Sequence, residues 1–110
     1  MAFDKGLADR LRLVLAGNRA ILERKMFGGL AFLFNGHMFC GVVNADLMLR
    51  IGPEATTAAL KQPYTRRMDF TGKALKSMIF VDARGVDFDE SLRDWVESAL
   101  TYVMTLPPKK

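Results

Sequence analysis

Two apolar runs, Leu30 to Phe34 and Met38 to Val43, joined across Asn35-Gly36, constrain this chain more than any other feature. Asn-Gly between apolar runs favours a two-residue turn with both central residues at positive φ, so the runs read as a tight antiparallel hairpin. Leu30, Phe32 and Phe34 point one way while Ala31 and Leu33 point the other, and Met38, Cys40 and Val42 alternate with Phe39, Gly41 and Val43. A sheet with one wet face alternates apolar with polar residues. Here both faces ask for cover. Three short helices cover one face well, so part of the other is expected to lie against a second copy or a partner, unless the helices straddle the sheet.

The rest of the chain supplies those helices and further strands. Phe3, Leu7, Leu11, Val14 and Leu15 fall at helical spacing, with Asp4 at the start and Gly17-Asn18 placed to stop the helix. Ile21 to Phe27 and Leu47 to Ile51 flank the hairpin as further strand segments, with Gly28-Gly29 read as a bulge or kink and Asn44-Ala45-Asp46 as a turn. Gly52-Pro53-Glu54 opens a short helix whose apolar side is Ala55, Ala58, Ala59 and Leu60. Met68 to Phe70 and Leu75 to Val81 form a second hairpin across Thr71-Gly72-Lys73. Leu92, Trp95, Val96, Ala99, Leu100 and Val103 make one stripe of a helix from about Asp89 to Leu106, ended by Pro107-Pro108. Asp87 with Glu90 offers a capping pair, and Asp89 competes with it. The order is helix, three or four strands, helix, two strands, helix.

With 110 residues, no repeat and no linker, residues 1–110 read as a single α+β domain. One Cys excludes an internal disulfide, and one His with one Cys cannot furnish a four-ligand zinc site. No export signal precedes the first helix, and the longest apolar run, Leu30 to Phe34, is far too short to span a bilayer. With the unpaired thiol of Cys40, this points to a reducing cytoplasm.

The charge is unevenly distributed. Residues 1–81 carry 12 basic and 6 acidic side chains, whereas residues 82–106 carry 2 basic and 6 acidic ones. Arg24, Lys25, Arg66, Arg67, Lys73 and Lys76 would make a nucleic-acid contact if the fold gathered them into one patch. No basic run exceeds two residues, and no aromatics are interleaved, so a solvated surface is the plainer reading.

Catalytic chemistry finds little to work with. His37 and Cys40, three apart on one strand, are expected on opposite faces, which forbids a dyad. Cys40 reads as a core residue and His37 as a solvated hairpin residue. Asp82, before Arg84-Gly85, reads as a local hydrogen-bonding residue, and Asp87, Asp89 and Glu90 as a helix start. Gly72-Lys73 lacks the glycine and hydroxyl residue of a phosphate loop, since Arg67 and Ala74 stand there. Tyr64, Asp69 and Lys73 are the residues a small enzyme or carrier would use. No catalytic, metal-binding or cofactor-binding residue is assigned, and no cofactor is expected.

Arg24-Lys25-Met26-Phe27-Gly28-Gly29-Leu30-Ala31-Phe32, Asn35-Gly36-His37-Met38 and Leu49-Arg50-Ile51-Gly52-Pro53-Glu54 resemble the N-terminal domain of the TfoX/Sxy family of bacterial competence regulators. Met68-Asp69-Phe70-Thr71-Gly72-Lys73 and Trp95-Val96 also resemble it, so the likeness runs from Phe3 to Pro108. It implies an α-β(3)-α-β(2)-α order, an antiparallel sheet packed with helices as in secretion-chaperone-like domains, which often pair as dimers. Lys25, Met26, Phe27, Gly28 and Gly29 carry over as the family's sequence signature only. Full-length members resemble regulators of DNA-uptake genes and carry a second, helical C-terminal domain, and this chain is expected to be a stand-alone N-terminal domain without it. The expectation is a non-enzymatic regulatory or protein-interaction module, homodimeric, with a regulatory protein partner and no membrane association. Weak electrostatic nucleic-acid binding is the alternative.

Overall fold

A computed structural model describes residues 3–16, 20–26, 28–70 and 73–107, with side chains at those positions except 26, 68–70 and 73–76. The Gly17-Asn18 stop, Phe27, Thr71-Gly72 and Pro108 lie outside the described residues. Helix α1 spans Lys5–Val14, and its N-cap Asp4 accepts a hydrogen bond from the Leu7 amide at 3.1 Å. Strands β1 (Ile21–Met26), β2 (Gly29–Phe34), β3 (His37–Val43) and β4 (Asp46–Arg50) follow as a meander. Helix α2 is Pro53–Ala59, strands β5 and β6 are Thr65–Phe70 and Lys73–Val81, and a 3-10 turn at Ala83–Val86 leads into helix α3, Asp89–Met104.

The six strands form one antiparallel sheet in the order β1-β2-β3-β4-β6-β5. The fold is thus α+β, with four strands before α2, one more than the resemblance implies. The turn at Asn35-Gly36 has φ of 52° and 84°, the mirror-image geometry that suits the strands' twist. Gly28-Gly29 is not a bulge. Met26 pairs with Gly29, so the chain reverses there, and Gly28 takes φ 74°. The bulge lies instead in β3, where Phe32 pairs with Cys40 but Leu33 pairs with Met38, leaving Phe39 as the extra residue.

All three helices cover one face. Leu7, Ala8 and Leu11 of α1, Ala59 of α2, and Leu92, Val96, Ala99 and Val103 of α3 pack with Phe32, Cys40, Leu47, Leu49 and Ile79 of the sheet. The predicted stripe of α3 is therefore the buried one, with Trp95 and Leu100 on its flanks. The face of α2 differs from expectation. Ala55 and Ala58 are exposed, and Thr56 is buried in their place, its hydroxyl donating to the Gly52 carbonyl at 2.7 Å. Neither predicted cap of α3 acts as one. Phe88 occupies the N-cap without a side-chain bond, while Asp87 ends the 3-10 turn and Asp89 is the first helical residue.

Candidate interaction surfaces

The helices do not straddle the sheet, and among the described residues its second face is closed by strand residues. Ala31, Leu33, Met48, Met78 and Phe80 form a separate cluster there, each less than a tenth exposed, with Met38 and Val43 packed at its side. Glycine makes this packing possible: a Cβ on Gly41 would sit 2.8 Å from the Met48 methyl group and 2.4 Å from the Leu30 carbonyl oxygen. Paired residues share a face, so Leu22 opposite Leu33 and Arg24 opposite Ala31 extend the surface toward β1. Leu22 is 65% exposed. At the other end Arg66 lies over the Phe80 ring, 5.0 Å from its centroid, and pairs with Asp46. That contact holds the Arg66 guanidinium even more firmly protonated than usual, through the hydrogen bond to Asp46.

A second concavity runs along α3, with Gln62 across from one part and Ile51 and Ala55 across from the other. One part, about 290 Å³, is lined by Gln62, Ser91, Asp94, Trp95 and Ser98. A larger part, about 620 Å³, shares Asp94 and Ser98 and adds Glu97, Thr101 and Tyr102 of α3 with Ile51 and Ala55. Gly52, at φ 92°, admits the Tyr102 ring, which a Cβ there would approach to 2.6 Å. Arg50 lies 5.9 Å from the centroid of the same ring.

The basic residues do not gather into one patch. Arg24 and Lys25 stand on β1 and Arg66 and Arg67 on β5, the two opposite edges of the sheet. Lys73 and Lys76 lie on β6, next to β5, and their side chains are outside the described residues. The β3 bulge also overturns the expected separation of His37 and Cys40. His37 pairs with Phe34 and Cys40 with Phe32, two residues apart on one strand, so both belong to the helix-covered face. No dyad results. Cys40 is fully enclosed, and burial pushes its thiol far above the ordinary value, which leaves no thiolate to react. The His37 Nε2–H donates to the Pro107 carbonyl at 2.6 Å, an acceptor-only group that fixes the proton on that nitrogen. Asp82 does bond locally, accepting from the Arg84 amide at 3.0 Å and from its side chain, and these bonds hold its carboxyl below the usual carboxylate range. Tyr64 is exposed under the Arg84 guanidinium, while the side chains of Asp69 and Lys73 lie outside the described residues.

The family described as TfoX N-terminal domain matches residues 14–102. The chain belongs to the TfoX N-terminal domain family. The match is narrower than the resemblance from Phe3 to Pro108 and leaves most of α1 outside it. No curated protein and no solved structure matches the chain. The TfoX signature Lys25, Met26, Phe27, Gly28 and Gly29 falls on the β1–β2 reversal, with Phe27 outside the described residues. A Cβ on Gly29 would lie 2.0 Å from the Val42 carbonyl oxygen, so this signature residue lets β2 run tightly against β3. Among the described residues of this TfoX domain, no helix is long and apolar enough to cross a membrane. Missed by sequence reasoning was the concavity along α3. Its only linear trace is Ser91, Asp94, Ser98, Thr101 and Thr105, small or acidic residues alternating three and four apart along α3.

Proposed function

We propose that this chain is a competence-regulator-like interaction module without enzymatic activity, which pairs with a second copy through the helix-free face of its sheet. The observation behind this reading is the apolar cluster of Ala31, Leu33, Met48, Met78 and Phe80, which among the described residues is made of strand residues. Methionine, unbranched and polarisable, repacks readily against a partner. Leu22 supplies exposed apolar area beside the cluster. The exposed Glu23, Arg24 and Lys25 on β1 and Arg66 and Arg67 on β5 disfavour pairing through the sheet edges, which leaves the face as the route to association.

Light scattering at high micromolar concentration tests this. The wild-type chain is expected to run as a dimer and Leu22→Arg as a folded monomer; a wild-type monomer overturns the proposal. The rival reading, electrostatic nucleic-acid binding, has two separated basic pairs instead of a continuous track. Duplex DNA affinity at about 50 mM salt that falls steeply as salt rises would favour it instead.

A further inference from the structure

The carboxylates of this chain fall into two groups. Asp9, Glu23, Asp46, Asp82 and Asp89 are each held by an arginine. Asp94 and Glu97, like Asp4, Glu54, Asp87 and Glu90, have no ion-pair partner among the described residues. Three apart on a helix, Asp94 and Glu97 are surface neighbours, and both line the concavity along α3. No lysine or arginine lines either of its two parts.

The shape narrows the occupant. The two parts share Asp94 and Ser98 and follow one another along α3 from Ser91 to Thr105. At the helical rise that stretch is roughly 21 Å long, which matches about six residues of extended chain. Trp95 and Tyr102, both half-buried against the core, present aromatic rings to the trough, and Ser98 and Thr101 are short enough to leave space between them. Aromatic faces attract ammonium and guanidinium groups as well as apolar side chains. Two free carboxylates repel phosphate, so the trough disfavours a nucleic acid.

We infer that this trough along α3 binds an extended basic peptide segment of a partner protein, its cations facing Asp94 and Glu97 and its remaining side chains lying on Trp95 and Tyr102. This surface is distinct from the sheet face proposed for self-pairing, and the two stand or fall separately.

Trp95 is the single tryptophan of the chain and lines the trough, so its emission reads occupancy directly. The full-length chain is titrated with a short peptide alternating lysine and leucine, and with the same peptide carrying glutamate for lysine. The basic peptide is expected to change Trp95 emission saturably, and the acidic one to leave it unchanged. Asp94→Asn and Glu97→Gln each weaken binding about two- to five-fold, the worth of one exposed ion pair. Glu90→Gln, an exposed acid outside the trough, leaves it unaltered. An unresponsive Trp95, equal response to both peptides, or equal loss in Glu90→Gln overturns the proposal. So does a Trp95 signal that changes with protein concentration alone, which would assign the trough to a second copy.

Discussion

On the helix-covered side of the sheet, Leu11, Ile79 and Leu92 are wholly enclosed between helices and strands, and no methionine is among the described buried residues. On the other side Met48 and Met78 are buried, with Met38 beside them, and the described residues that close the cluster are neighbouring strand residues. The same strands supply both. Branched and aromatic side chains with few rotamers suit a site whose second wall is a fixed helix. Flexible thioethers suit a site that must fold over itself, with Gly41 making room for Met48. The contrast teaches that double-sided apolar strands need not mean two equivalent cores: one is walled, the other improvised by its own side chains.

Four substitutions test that contrast, beginning with the largest effect. Leu92→Ala leaves a cavity that α3 and the sheet cannot collapse around, and is expected to cost about 3–5 kcal/mol in urea unfolding, against about 2 kcal/mol for Met78→Ala on the unwalled face. Equal losses would show that the second face is as rigid as the first. Gly41→Ala forces a methyl group against the Leu30 carbonyl and the Met48 side chain, for an expected loss of about 2–3 kcal/mol. A companion Met48→Ala change relieves only the side-chain part of that clash, so the double variant should recover some of the loss. Unfolding midpoints that stay at the wild-type value in Gly41→Ala would remove glycine from the account of this face.

The smallest effect concerns the tie between α1 and β1. Arg12 donates through Nε and Nη2 to both oxygens of Glu23 at 2.9 Å, and through Nη1 to Asp9 at 2.9 Å. The hydrogen bond from Arg12 holds the Glu23 carboxyl below its ordinary value of 4.5, so its contribution to stability is present above that pH and fades as pH falls through the lowered value. Both side chains are more than one-third exposed, so solvent screening limits Arg12→Gln to about 0.5–1 kcal/mol at neutral pH. The variant should also flatten the acid limb of stability against pH. An acid limb identical to wild type would show the pair to be idle.

Much of this architecture is legible in the chain. Leu92, Val96, Ala99 and Val103 announce α3 because helical periodicity survives any detail of tertiary packing, and Asn35-Gly36 announces its turn because few residues accept positive φ twice running. The β3 bulge is different. Phe39 bears no mark of being an extra residue, yet it reverses the facing of everything before it and brings His37 round to the helix-covered side. The burial of Thr56 was equally hidden, since a threonine that satisfies its hydroxyl on the preceding turn behaves as an apolar residue of valine size. The trough depends on how α3 comes to lie beside Ile51, Ala55 and Gln62, distant from it in the chain, and no local pattern carries that information.

The pairing of β4 with β6 has a consequence for how the chain is assembled. Residues 21–50 and 65–81 are each successions of adjacent antiparallel strands, and the strand pairing between them runs where Leu47 to Arg50 meet Met78 to Val81. Bringing that ladder together spans roughly thirty residues of intervening chain, a larger loop-closure entropy than any of the hairpins demands. Ile79 and Leu49 on one surface and Phe80 and Met48 on the other face each other across this junction. Both apolar clusters therefore become continuous through a single four-residue seam, which makes those four pairs the mechanical rivet of the molecule.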